Sequence, residues 1–318
     1  MRPFDLHGLR TYELQSRPSK VFVTDLGRPA EPSTPIGDWL DTLPKQLAAN
    51  ELRKLRDHLV RAHRESRTVA VALGGHVIKT GCAPYLIDMI QRGVITAVAM
   101  NGSAAIHDFE LALAGKTSED VSAQLHAGNF GMARETADAF AVAAQRGSQH
   151  DRGLGAALGE YIAEQDCPHA DVSLVLACHR AGIPCTVHVA LGTDIVHMHP
   201  HVSGAALGEA SMLDFRILCS VVSKLAHGVW LNLGSAVVMP EVFLKAVSVV
   251  RNFGCELDGL VTANCDKESK YRTGMNVLRR PGSEGIEVIG HHELLIPLLH
   301  AAVVAKLAVN DTALSRAA

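Results

Sequence analysis

Along this chain, short runs of small and β-branched apolar residues alternate with longer stretches whose apolar positions recur every three to four residues. The first long stretch, PKQLAANELRKLRDHLVRAHRES over 44–66, carries one apolar stripe and a basic outer face, which predicts an amphipathic helix. TVAVALG from Thr68 then reads as a strand, CAPYLIDMIQRG as a helix stopped by Gly93, and VITAVAM from Val94 as a second strand. That strand runs into Asn101-Gly102-Ser103 and a helix over AAIHDFELALAG, so strand, small-residue turn and helix occur twice in succession.

The pattern loosens into Ala-, Gly- and His-rich sequence over 117–168, with helical stretches from Met132 to Gln145 and from Leu154 to Ile162. It then resumes. ADVSLVLACHRAG reads as a helix, IPCTVHVALG as a strand and GAALGEASMLDFRILCSVVSKLAHG as a long helix. GVWLNLGSA is the next strand, PEVFLKAVSVVRNFG a helix with Pro240 in its first turn, and LDGLVTANC a further strand. GIEVIG gives a short last strand, and a helix from His291 closes the chain. No fixed-period repeat, low-complexity segment or linker interrupts this order. The pattern predicts one α/β domain over 1–318, with a Rossmann-like, doubly wound, mostly parallel sheet of about six strands and helices on both faces. Residues 1–66 are expected to form an N-terminal extension and helix.

Composition narrows the class. With 318 residues, 47% of them apolar and 20% charged, the chain is neither disordered nor in need of disulfide or metal staples. A net charge of −3 supplies no electrostatic footprint for nucleic acid or an anionic membrane, so neither is expected as a partner. The opening MRPFDLHGLRTYELQ lacks the apolar core of a secretory signal. The longest apolar stretch, LLIPLLHAAVVAKLAV, is broken by Pro297, His300 and Lys306 and is shorter than the ~20 residues of a membrane span. Cys82, Cys167, Cys178, Cys185, Cys219, Cys255 and Cys265 form no CxxC pair, which argues against a zinc ribbon or a disulfide framework. These features lead us to expect a protein of the reducing cytoplasm.

In doubly wound sheets ligands lie beyond the carboxyl ends of the strands, which directs attention to the turns at 74–81, 101–108, 192–201, 234–240 and 262–272. Glycine after a strand, followed by the free N–H groups of a helix, suits a pyrophosphate. NGSAA and LGSA both offer that arrangement without the full G-x-G-x-x-G spacing, and small residues there equally let a helix start close to the sheet. His107 and Asp108 read as an acid–base pair, or Asp108 with Glu110 simply complements the helix dipole. His197, His199 and His201 share one face of an extended segment, a spacing open to a metal site, a ligand pocket or surface imidazoles. The outer two would lie ~13 Å apart if fully extended, so Pro200 would have to bend the chain before all three met. The charged run Cys265–Arg272 and Lys79 are further candidates for gripping a polar substrate.

At these turns the chain resembles known families. GGHVIKTGCAPYLIDMIQRGVITAVAMNGSAAIHDFELALAGKT is similar to deoxyhypusine synthase, and to the ornithine cyclodeaminase domain of the saccharopine-dehydrogenase-associated type. IPCTVHVALGTD, WLNLGSAVVMPEVFLKAVSVVRNFG, LDGLVTAN and HHELLIPLLHA resemble later segments of deoxyhypusine synthase in the same order. The resemblance implies an NAD-binding Rossmann-like domain in a homo-oligomer, often a tetramer, with NAD contacts at Asn101, Gly102, Ser103, Asp194, Gly234, Ser235, Thr262 and Ala263. Two motifs depart from the synthase. Gly234-Ser235-Ala236 stands in place of a triple glycine, and NVLRRPG, with Arg279 and Arg280, in place of the Trp-Gly-Lys motif that carries the attacking lysine. An arginine stays protonated and forms no imine, so standard deoxyhypusine synthesis is not expected.

The function expected on these grounds is NAD-dependent oxidation of a small amine or amino acid to a transient imine, of transferase or deaminase type. His107 and Asp108 would handle protons, and Asp194 and His197 would hold an ammonium group. Two alternatives stay open: a non-catalytic NAD- or ligand-binding protein on the same fold, and a metal-dependent hydrolase built on the histidine cluster.

Overall fold

The computed structural model describes residues 1–315, with side chains described through Ala308; the last three positions of the expected domain lie outside the described residues. In chain order the elements are α1 Ile36–Thr42, α2 Leu47–Arg64, β1 Val69–Leu73, α3 Gly75–Lys79, α4 Ala83–Gln91, β2 Ala97–Asn101, α5 Gly102–Ala114, α6 Val121–His126 and α7 Arg134–Gln149. They continue with α8 Leu154–Glu164, α9 Leu174–Ala181, β3 Cys185–His188, α10 Gly204–Val222, β4 Val229–Leu233, α11 Val238–Asn252, β5 Val261–Asp266, β6 Glu284–Ile289 and α12 His292–Ser315.

The six strands form one sheet in the order β3-β2-β1-β4-β5-β6, and every neighbouring pair runs parallel. Chain order reverses direction between β1 and β4, which is the switch point of a doubly wound sheet. Each of the six strands falls on an apolar run read from sequence, with β2, β5 and β6 passing its bounds by one residue. Strands β1 to β5 are buried on both faces because both are covered, whereas the edge strand β6 buries only Ile286 and Val288. Val69, Val71 and Leu73 of β1 join one core with α2, α4, α5 and α12, while Ala70 and Ala72 join the other with α10 and α11. On that second face the alanines of β1 and β2 leave room for Trp230, whose ring stacks on Phe243 of α11 at 4.1 Å.

Helix α2 buries Leu52, Leu55, Leu59, Val60 and Ala62, the stripe its spacing predicts, and so packs as part of the domain. Its buried Arg56 reaches Asp41 and Asp57 at 2.9 and 2.8 Å. Before α1, large apolar side chains such as Phe4, Leu9 and Tyr12 are exposed. The single helix expected over 170–182 divides into a 3-10 turn and α9, because the Ser173 hydroxyl caps α9 at the Leu176 N–H. Among the elements with no counterpart in the sequence reading are α1, α3 inside the first turn, α6, and a π-helical turn over Thr273–Arg279. Among the described residues, no helix is long and apolar enough to cross a membrane.

Candidate functional site

Beyond the carboxyl ends of β1, β2 and β3 lies a cleft of about 240 Å³ whose walls include Lys79, Ser103, His107, Glu110, Thr193 and Asp194. Three of these come from α5. Its inner positions Ala104, Ala105, Asp108, Phe109 and Ala112 are buried, so Ser103, His107 and Glu110, at i, i+4 and i+7, with Ile106, form the face left toward the cleft. Asn101 ends β2 and caps this helix, its Oδ1 accepting from the Ala104 N–H at 2.9 Å.

His107 does not pair with Asp108. Its Nδ1 lies 2.6 Å from the Thr117 hydroxyl, which in turn donates to Glu110 Oε2. Thr136 donates to the other Glu110 oxygen at 3.1 Å. Burial pushes the Glu110 carboxyl up, but the nearby His107 imidazole and hydrogen bonds from Thr117 and Thr136 outweigh it and hold the group below the usual carboxylate range. Asp108 is fully buried on the opposite side of α5. It accepts from the Ser173 hydroxyl at 2.6 Å and from the Leu174 and Val175 N–H groups at 2.7 and 3.2 Å, anchoring the start of α9. Asp108, expected to handle protons, is thus placed away from the cleft, holding the start of α9. A one-residue step along a helix turns a side chain by about 100°, so neighbours cannot face the same cleft.

Asp194 stands where the chain leaves β3, before a 3-10 turn over Ile195–Met198. Its carboxylate is packed against Gly102, where any Cβ would overlap it. The Asp194 carboxylate thus lies directly beside the Asn101-Gly102-Ser103 turn, where the sequence offered a phosphate cradle. Burial pushes Asp194 up to about 6. Asp194 Oδ2 and His197 Nε2 are both buried without a hydrogen-bond partner, and they lie 3.9 Å apart. His197 Nδ1 accepts the N–H groups of Gly192 and Asp194 at 3.1 and 3.2 Å, so the ring proton sits on Nε2. This imidazole donates, and an ammonium group, itself only a donor, would find no partner there.

The other two histidines diverge. His199 reaches the Gly131 carbonyl at 2.8 Å, and His201 pairs with Asp138 at 2.9 Å. Among the described residues, no group of three or more His, Cys, Asp or Glu side chains is placed to hold a metal ion. Arg279 and Arg280 sit in or beside the π-helical turn, where Arg280 donates to Asn276 at 2.7 Å.

At the switch point the turns after β1 and β4 touch. A Cβ on Gly74 would overlap the Gly234 backbone, and Gly234, at φ +59°, faces the buried His292 ring at a distance no side chain would permit. Ser235 caps α11 at the Met239 N–H, 3.2 Å away. Lys79 and Lys267 border these turns, with Glu293 also near. Burial and then His292, Lys79 and Lys267 lower the exposed His76. Thr262 and Ala263, expected among the cofactor contacts, instead lie inside β5, fully buried, with the Thr262 hydroxyl paired to Ser283 at 2.7 Å. The strand continues past them to Asp266, which takes the position at the strand end.

No protein-family model and no curated protein matches the chain. Solved structures do. A conserved protein from Methanococcus maripaludis S2, provisionally assigned as LOR/SDH, superposes with a TM-score of 0.51 at 16% identity over 82% of this chain and 71% of that one. ArgZ, an arginine dihydrolase from the ornithine-ammonia cycle in cyanobacteria, gives 0.52 at 15% identity, and AgrE in a ternary complex with ornithine and NAD+ gives 0.54 at 15%. Those two matches cover 83% and 81% of this chain, which spans about a third of the length of ArgZ and of AgrE. The fold is Rossmann-like α/β. A structure provisionally assigned as deoxyhypusine synthase, from Entamoeba histolytica, superposes at only 0.48 and 10% identity, too weak a likeness to favour that family.

Proposed function

We propose that this chain is an NAD-dependent enzyme acting on a small amine or amino acid. The observation that carries the reading is the cleft beyond the strand ends, where Lys79, Ser103, His107 and Asp194 converge beside the switch point. The cofactor is suggested by the fold shared with AgrE, which was crystallised with ornithine and NAD+.

The residues present suit a dinucleotide. The Lys79 and Lys267 ammonium groups beside the glycine turns are complementary to a diphosphate, with His76, held below the usual imidazole range, beside them as a neutral imidazole; Ser103 and Asp194 can accept from ribose hydroxyls or an ammonium group. When bound, NAD would supply a hydride acceptor for the carbon that carries the nitrogen. The chain's own tasks are binding and proton handling. Asp194 holds the substrate nitrogen, the His197 Nε2–H orients the Asp194 carboxylate or an acceptor on the ligand, and His107 exchanges the proton. Assembly into a homo-oligomer belongs to the same proposal.

The test is absorbance of reduced cofactor when purified protein and NAD meet a panel of small amines and amino acids. The expected result is substrate-dependent reduction, or an NAD-dependent product without net reduction, that falls by ~10²-fold or more in Asp194→Ala. Full activity in that variant would remove Asp194 from the site. Silence across the panel, with mass spectrometry finding no product, would count against an enzyme.

A further inference from the structure

The hydrogen bonds around His107 have only one consistent direction. Glu110 accepts at both oxygens, from Thr117 at one and Thr136 at the other, as an ionised carboxylate does. The Thr117 hydroxyl has a single proton and spends it on Glu110, so toward His107 it can only accept. The proton in the 2.6 Å contact between His107 and Thr117 must then belong to Nδ1. A neutral imidazole has one N–H, which leaves Nε2 as a lone pair with no hydrogen-bond partner among the described residues.

We propose that Glu110, Thr117 and His107 form a hydroxyl-relayed base, in which His107 Nε2 takes a proton from the ligand in the cleft while Thr117 and Glu110 fix its tautomer. The identity of the proton donor rests on the function proposed above; the tautomer rests on this chain alone. Neither Thr117 nor Glu110 need touch substrate, so both are positioning residues.

The local fold builds the relay from sequence. His107 and Glu110, three apart, share a face of α5, with Nδ1 and Oε2 3.8 Å apart, too far for a direct hydrogen bond. Gly115, at φ +67°, ends the helix in the left-handed conformation and turns the chain back. Thr117 is thereby returned to the gap between the two side chains. On the other side of the ring, Gly75 clears space: a Cβ there would come within 3.0 Å of His107 Cδ2 and overlap the Ser103 hydroxyl.

In the step this arrangement supports, one N–H bond of a substrate ammonium breaks and its electron pair stays on nitrogen. The proton bonds to Nε2, giving an imidazolium whose charge is balanced through Thr117 by the Glu110 carboxylate. The resulting neutral amine has the lone pair that assists loss of hydride from the adjacent carbon. His197 holds the opposite tautomer, with its proton on Nε2, so the two imidazoles divide the acceptor and donor roles.

Nitrogen NMR of the full chain with labelled histidine, above the pH range in which histidine titrates, reads the tautomer without cofactor or substrate. The His107 signals are assigned by their loss in His107→Gln. The wild type is expected to show His107 protonated at Nδ1. Thr117→Val, which cannot accept, shifts it toward the Nε2–H form, and Thr117→Ser restores the wild-type pattern. Wild-type His107 protonated at Nε2, or a Thr117→Val spectrum identical to wild type, overturns the relay. The expected tautomer in a chain that binds no NAD would leave the relay standing and refute only the cofactor reading.

Discussion

At the scale of single residues, neighbours in the sequence and neighbours in space part company at the cleft. The adjacent letters His107-Asp108 invite a pairing that helix geometry forbids, while Glu110, three positions on, supplies the carboxylate. The i, i+3 spacing was visible in the sequence; the bridging Thr117 was not, since it depends on the reversal after Gly115. A different buried acid, with Asp108 and Asp194, contributes to the response to pH. Asp214 of α10 accepts the Gly155 and Val187 N–H groups at 2.9 and 2.8 Å, while its Oδ1 has no partner, and burial pushes it up to about 7. Because the folded form holds its proton to higher pH than the unfolded chain, whose aspartates titrate near ~4, stability is greatest below that value and falls as pH rises toward about 7. Each unit of this shift corresponds to ~1.4 kcal/mol. Asp214→Asn, which keeps an oxygen acceptor and cannot ionise, should therefore melt higher than wild type at about pH 8 and nearly equally at about pH 4. Thermal melts at the two values check this, and an equal offset at both would show that ionisation is not the cause.

Among the elements, strands β1 to β5 were legible because a parallel sheet buried on both faces demands continuous apolar runs. The amphipathic α2 was legible because one face meets the core. What escaped were elements that depend on distant partners. The start of α9 is set by Ser173 and by Asp108 from α5, a residue 65 positions earlier. Asp108→Ala would strip the Ser173 hydroxyl and the Leu174 and Val175 N–H groups of their acceptor. We expect a loss of ~2–4 kcal/mol in denaturant unfolding, from the lost cap and the buried donors left unpaired. NAD affinity of the folded fraction should stay close to wild type. A variant as stable as wild type that had lost NAD-linked turnover would restore Asp108 to the chemistry.

For the whole molecule, the strand order places β1 beside β4 at the point where the winding reverses, and the candidate chemistry gathers at that end of the sheet. Sequence alone located that end, through the glycine turns after β1 and β4. It did not separate residues at the strand ends from those inside, and Thr262 and Ala263 fell on the wrong side because β5 runs on to Asp266. Nor did it foresee that the Asp194 carboxylate would pack against Gly102; on the function we propose, that leaves Lys79 and Lys267, near β1 and β5, to meet a diphosphate. Calorimetric titration of the full chain with NAD, beside Lys79→Ala, tests that assignment most directly. The account predicts micromolar binding, about −8 kcal/mol, weakened roughly tenfold when Lys79 loses its charge. Absence of binding up to millimolar NAD, or wild-type affinity in Lys79→Ala, would contradict it.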